Sequence, residues 1–162
     1  MGSTREAVPS DAAAIAAIYN QAVTGSTATF DVDPQSAEER AAWLGDHGPE
    51  WPVVVAVSGE AIVAWGSLSR WSGRSAYDAT AELSIYIDEA HHGQGLGTML
   101  GRELLQRAAG TGKHVVISRI CTENTASVRL TERLGFELVG VLHEVGRKFG
   151  RWLDVVIFEK KL

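Results

Sequence analysis

The chain has 162 residues, 45% of them hydrophobic and 22% charged, which suits one folded domain and argues against extensive disorder. Its net charge of −5, with no basic tail or stripe, excludes the electrostatic footprint of a nucleic-acid binder. Cys121 is the only cysteine, so neither an intramolecular disulfide nor a cysteine metal cluster is available. The N-terminal Met1-Gly2-Ser3-Thr4-Arg5-Glu6 lacks the apolar core of a signal peptide, and no apolar run approaches the ~20 residues of a membrane span. The expectation is a single cytoplasmic domain over residues 1–162, without a membrane or nucleic-acid partner.

Ser10 and Asp11 cap a helix running to about Val23, with Ile15, Ile18, Tyr19 and Ala22 as its apolar stripe and Gly25 as its stop. A polar loop follows, interrupted by a lone Phe30. Ser36, with Glu39 three residues on, has the form of a capping box for a second helix to about Asp46. The runs 53–57 and 61–65, parted by Gly59-Glu60, predict a hairpin. In the next strand Leu83, Ile85 and Ile87 alternate with Glu82, Ser84 and Tyr86, so its two faces differ. Beyond a glycine-rich turn, Met99, Leu100, Leu104, Leu105 and Ala108 keep helical spacing. A strand from His114 to Ile120, a helix from Asn124 that Gly135 stops, and a hairpin turning near Phe149-Gly150 complete the chain. This order predicts an α/β fold: a mixed, largely antiparallel sheet flanked by helices, with a strand–glycine turn–helix motif.

The turn is His92-Gly93-Gln94-Gly95-Leu96-Gly97-Thr98. Glycines at every second position let the backbone curl tightly and leave its N–H groups uncovered. Together with the helix dipole, those groups suit an anionic oxygen cluster such as a pyrophosphate. A P-loop would need Lys-Ser or Lys-Thr where Thr98-Met99 stands. A dinucleotide fingerprint would need its third glycine one position before Gly101, and usually sits on the first strand of its fold.

The turn resembles the cofactor motif of the GNAT acetyltransferase superfamily, Gln/Arg-x-x-Gly-x-Gly/Ala, with His92 at the Gln/Arg position. Five further segments in order are similar to phosphinothricin N-acetyltransferases and methionine sulfoximine/sulfone acetyltransferases. They are Thr27-Ala28-Thr29-Phe30, residues 71–78, residues 123–130, Leu134-Gly135-Phe136 and residues 146–154. The resemblance implies a GNAT-like fold, a single acetyltransferase domain, acetyl-CoA as co-substrate, no metal, a small-molecule amine as acceptor, and a homodimer. It implies that Gly93, Gln94, Gly95, Leu96, Gly97 and Thr98 hold the pyrophosphate. Backbone groups around Ile85, Tyr86 and Ile87 would bind the pantetheine arm as an added strand, and Asn124 and Ser127 would contact it. Locally, Asn124 is an equally good helix N-cap. His92 removes a permanent charge but leaves the backbone cradle in place.

Acetyl transfer to an amine needs a neutral nitrogen, and a nearby carboxylate is the expected means of removing its proton. Glu82, on the polar face of the strand entering the turn, also aligns with the superfamily's general-base glutamate. The position where many members carry a tyrosine acid falls on Thr131. A thiol pKa near ~8.5 lets the thiolate depart without much help, and His143 is a possible substitute acid. For an amino-acid-like acceptor, arginine is the natural clamp on an anionic group. Arg74, with Ser75, Ala76 and Tyr77 beside it and Phe30 as a further wall, forms the expected acceptor site; Arg147, Lys148 and Arg151 are further candidate clamps. His91 and His92, adjacent on a turn, point apart and do not form a metal pair.

Two other readings stand beside this one. A protein N-terminus or a polyamine would keep the fold and change the acceptor, although a polyamine pocket would want carboxylates where Arg74 stands. A non-catalytic acyl-CoA sensor would keep the glycine turn and have no use for Glu82.

Overall fold

The structure, a computed structural model, describes residues 2–162. A first strand, β1 (Ser3–Glu6), pairs antiparallel with β2 (Val53–Ser58), which continues as a meander through β3 (Ala61–Arg70) and β4 (Thr80–Ile87). The strand β5 (Val115–Cys121) runs parallel to β4, and the closing hairpin of β6 (Glu137–Lys148) and β7 (Arg151–Lys161) joins the sheet through β7. The sheet order is β1-β2-β3-β4-β5-β7-β6. β1 is absent from the sequence reading because its Ser-Thr-Arg-Glu carries no apolar alternation; it is held by pairing with the hydrophobic β2.

Four helices cover the sheet: α1 (Ala12–Gly25), α2 (Ala37–Gly45), α3 (Leu96–Gly110) and α4 (Thr125–Arg133). The capping box of α2 forms as expected. Ser36 Oγ accepts the Glu39 N–H at 3.1 Å, and the Ser36 N–H donates to Glu39 Oε2 at 2.8 Å. Strand alternation sorts the core into two layers. Val54 and Ala56 face the Leu96, Leu100, Leu104 and Ala108 stripe of α3, whereas Val53 and Val55 face Ile15, Ile18, Tyr19 and Val23 of α1. On β4, Leu83, Ile85 and Ile87 belong to the α3 layer and Tyr86 to the α1 layer.

The feature that positions the site is a parting of strands. The parallel pairing covers only Thr80–Val115, Ala81–Val116 and Glu82–Ile117. Beyond it β4 stays with β3 as far as Ile87, while β5 follows β7 as far as Cys121. A wedge therefore opens in mid-sheet. The β6–β7 hairpin is fastened across to α1 by Lys148, whose buried Nζ donates to the carbonyls of Ala22, Ser26 and Thr29 at 3.2, 2.7 and 2.8 Å. Among the described residues no helix is long and apolar enough to cross a membrane.

Candidate active site

The wedge leads into a cleft of ≈ 740 Å³ bounded by the end of β4, the glycine turn, the start of α4 and the loop after α1. Of the residues expected to hold a cofactor, Ile85, Tyr86, Ile87, Gly93, Gly95, Leu96, Gly97, Thr98, Asn124 and Ser127 line it; Gln94 does not.

Gly93 and Gly95 are left-handed, at φ 75° and 79°, and a Cβ on either would meet nothing within 4 Å. Glycine is needed there for conformation, and the space in front of it is free. Gly95 is the N-cap of α3 and gives no side-chain cap, so the N–H groups of Leu96, Gly97 and Thr98 are the helix's orphan donors. The first intrahelical bond runs from Met99 N to Gly95 O, at 3.1 Å. Gly97 has a different reason to be glycine: a Cβ there would lie 2.8 Å from Leu130 Cδ2, so it lets α4 pack onto the start of α3.

The edge of β4 completes the arrangement. Asp88 N donates to Val63 O on the β3 side at 2.9 Å, whereas Ala79 O accepts from His114 N on the β5 side at 2.8 Å. Main-chain groups alternate sides along a strand, so the N–H groups of Ile85 and Ile87 face the wedge, beyond the last β5 partner. The ring Nε2 of His92 lies 3.0 Å from the Ile87 carbonyl and donates to it, which ties the turn back onto β4. His91 instead lies with Nδ1 2.9 Å from Asp88. Asp88 also accepts from Gln21 of α1 at 2.9 Å, and Gln21 accepts the Glu89 N–H at 3.0 Å. The bonds from Gln21 and then His91 hold the Asp88 carboxyl below the usual carboxylate range.

Asn124 does cap α4, its Oδ1 accepting the Ser127 N–H at 3.3 Å, and it lines the cleft as well. A bridge that the sequence does not announce crosses the cleft mouth. Glu123 accepts Thr27 Oγ1 at 3.1 Å and both terminal nitrogens of Arg151 at 2.7 and 3.0 Å. Arg151 and then Thr27 hold the Glu123 carboxyl below its usual range. These residues are 96 and 28 positions apart in the chain, and no local pattern marks the meeting.

Glu82 stands at the apex of the wedge rather than in the cleft lining, its side chain 18% exposed. Arg119 of β5 grips it from across the gap: Nη2 donates to Oε1 at 2.9 Å and Nε to Oε2. The guanidinium occupies one lone pair on each oxygen and leaves the others free to accept a proton. Arg74, Ser75, Ala76 and Tyr77 are exposed on the loop between β3 and β4, at the Glu82 end of β4, and do not line the cleft. Phe30 lies outside the cleft too, its ring against Gly146 so closely that a Cβ there would be 2.1 Å away. Of the further clamps, Lys148 is committed to three carbonyls and unavailable to a ligand. Arg147 lies over Trp152 at 4.7 Å, and Arg151 holds Glu123 from the cleft wall. Thr131 is buried, and His143 is 77% exposed beside Asp154; neither lines the cleft.

A strand–glycine turn–helix cradle beside a split parallel pair defines the class, and comparison with known proteins agrees. The model for an acetyltransferase (GNAT) domain matches residues 4–137. The chain is 37% identical to an L-methionine sulfoximine/L-methionine sulfone acetyltransferase of Pseudomonas aeruginosa, over 99% of this chain and 94% of that one. It is 34% identical to a phosphinothricin N-acetyltransferase of Streptomyces coelicolor, over 98% and 95%. A GNAT superfamily phosphinothricin acetyltransferase of Sinorhizobium meliloti, solved in complex with acetyl-CoA, superposes with a TM-score of 0.96 at 33% identity, covering 99% of this chain and 88% of that one. The chain belongs to the GNAT acetyltransferase family.

Proposed function

We propose that this protein transfers the acetyl group of acetyl-CoA to the amine of a small amino-acid-like acceptor of the methionine sulfoximine, methionine sulfone or phosphinothricin kind. The observation that carries the reading is the pair of backbone devices meeting at one cleft: the orphan N–H groups of Leu96, Gly97 and Thr98 behind two left-handed glycines, and the wedge-facing amides of Ile85 and Ile87. The first suits a pyrophosphate and the second an amide-bearing arm laid along a strand edge. The open space before Gly93 and Gly95 fits such a group, which a Cβ on either would begin to fill. When bound, acetyl-CoA supplies an activated acetyl thioester.

The chain's own residues then have separate tasks. The turn and the β4 edge hold and aim the donor, and His92 keeps the Ile87 carbonyl turned toward the turn. Glu82, on the opposite face of the same strand, takes the proton of the acceptor's ammonium through a lone pair that Arg119 leaves free. The acceptor then approaches from the side of the Arg74 loop. The exposed apolar residues of edge strand β6, Leu138, Val139, Val141, Leu142 and Val145, suit burial against a second copy in a homodimer. The donor is an intracellular metabolite, so the reading carries a cytoplasmic location with it.

The test is CoA release with methionine sulfone, methionine sulfoximine, phosphinothricin, spermidine and a peptide amine as acceptors. One of the first three is expected to turn over best, and Glu82→Gln to lower kcat by about 10²- to 10⁴-fold. Release with none of the five would overturn the reading; release from spermidine or the peptide alone would reassign the acceptor.

A further inference from the structure

The Arg119–Glu82 pair is built into the apex of the wedge. Glu82 and Ile117 are the last partners of the parallel ladder, and Arg119 stands two residues beyond, on the same face as Ile117, where β5 has already left β4. Its guanidinium reaches back over the gap to both Glu82 oxygens and stacks 5.3 Å from the centre of the Trp71 ring. Trp71 begins the loop that carries Arg74. Nε and Nη2 are engaged, whereas Nη1 makes no hydrogen bond among the described residues, and the side chain is 53% exposed. An arginine so held presents a fixed, outward donor edge beside the carboxylate that faces the amine.

We infer that Arg119 is a specificity-determining residue of the acceptor site, binding the acceptor's carboxylate while Glu82 receives its amine; this rests on the acetyl-transfer reading above. The two groups stand side by side, as do the nitrogen and carboxylate of an α-amino acid, whose nitrogen and carboxylate carbon are about 2.5 Å apart. They also match in charge. A zwitterion set against the neutral Arg–Glu pair meets an opposite charge at each end, whereas an amine without a carboxylate brings its positive charge up to an unanswered guanidinium. The bond from Glu82 raises the Arg119 pKa further above its ordinary value, so its charge is constant at any pH of interest.

The experiment compares methionine sulfone with the amine that lacks its carboxylate, 3-(methylsulfonyl)propan-1-amine, on the wild type, Arg119→Ala and Arg119→Lys. Binding to the CoA-loaded protein is followed by calorimetry, and CoA release is followed in parallel. Arg119→Ala is expected to weaken methionine sulfone binding at least about tenfold, as an increase in KM more than a loss of kcat, and to leave the simple amine bound as well as before or better, because the guanidinium that repels its charge is gone. Arg119→Lys should fall between, keeping the charge and losing the planar fork. Equal losses for both ligands, no loss for either, or no binding of methionine sulfone by the wild type would overturn the role given to Arg119. Absence of CoA release from every acceptor would instead overturn acetyl transfer, while the binding ratio still decides on Arg119.

Discussion

Replacing Gly95 by alanine adds one methyl group at φ 79°, where no atom lies within 4 Å of the new Cβ. Nothing collides, so the penalty is that of a left-handed backbone, about 1–2 kcal/mol for an L-residue. The chain can carry it in two ways. If residue 95 stays left-handed, folding bears the loss, and for 162 residues Tm drops by about 2–8 °C. If it relaxes, the amides of Leu96, Gly97 and Thr98 turn out of the cleft. The same free energy then appears as about 5- to 30-fold weaker binding of acetyl-CoA. Scanning calorimetry of the free protein and titration with acetyl-CoA measure the two shares, whose sum is expected to be about 1–2 kcal/mol. Gly97→Ala is the control, because its Cβ would press on Leu130 Cδ2 at 2.8 Å; overpacking of about 1–3 kcal/mol should show mainly in Tm. A Gly95→Ala protein with Tm within about 1 °C and Kd within about twofold of wild type would refute the left-handed cradle as the binding device.

Lys148→Met removes the cation that ties the hairpin to the end of α1 and leaves the carbonyls of Ala22, Ser26 and Thr29 without that donor. A loss of about 2–4 kcal/mol in urea unfolding is expected, and a loss under about 0.5 kcal/mol would show that water replaces the amine freely. The acid response follows from four carboxyls held below their usual range: Asp11 by Arg5, Asp88 by Gln21 and His91, Glu123 by Arg151, and Asp154 by the Glu144 amide. Their folded pKa values lie below the unfolded ones, so their stabilisation is complete above the ordinary carboxylate pKa of about 4 and is lost as pH falls through the folded values. Tm should therefore decline from about pH 5 to pH 3, and Arg5→Ala should flatten part of that decline; a Tm independent of pH in this window would contradict the shifts.

Much of this architecture was legible because its signals are local. The Ser36/Glu39 capping box, the alternation on β4, the leucine spacing of α3 and the glycine turn each lie within one element, and each takes the predicted form. The left-handed turn was legible for the same reason: backbone conformation at Gly93 and Gly95 is dictated by the residues themselves. The acceptor side rests on less local features. Arg74 and Phe30 sit on loops outside the cleft, and nothing local sets where a loop side chain points. The Glu123–Arg151–Thr27 bridge and the Arg119–Glu82 pair join distant parts of the chain across the cleft and the wedge, so they exist only once the sheet is assembled. Lys148 reads in sequence as a candidate clamp in the last hairpin, yet it is buried and committed elsewhere, because the carbonyls it satisfies come from α1 and the loop after it.

The division of labour along β4 can be tested one atom at a time. A strand sends successive main-chain N–H groups to opposite edges and successive side chains to opposite faces. Asp88 N bonds to β3, so the N–H groups of Tyr86 and Ser84 do likewise, and those of Ile85 and Ile87 face the wedge. Replacing the amide N–H of a single residue by an ester oxygen, through incorporation of the matching α-hydroxy acid, removes one donor and leaves the side chain in place. At position 86 the lost partner is β3. Tm should fall by the equivalent of about 0.5–1.5 kcal/mol while acetyl-CoA binds as before. At position 87 the apo protein should lose less Tm than at 86, since on the β3 side only the Tyr86 carbonyl becomes a weaker ester acceptor, and acetyl-CoA binding should weaken by about 2- to 12-fold, the same free energy read as affinity. If both esters lower Tm and neither changes Kd, the β4 edge is not where the donor lies, and the wedge must be assigned to the acceptor alone.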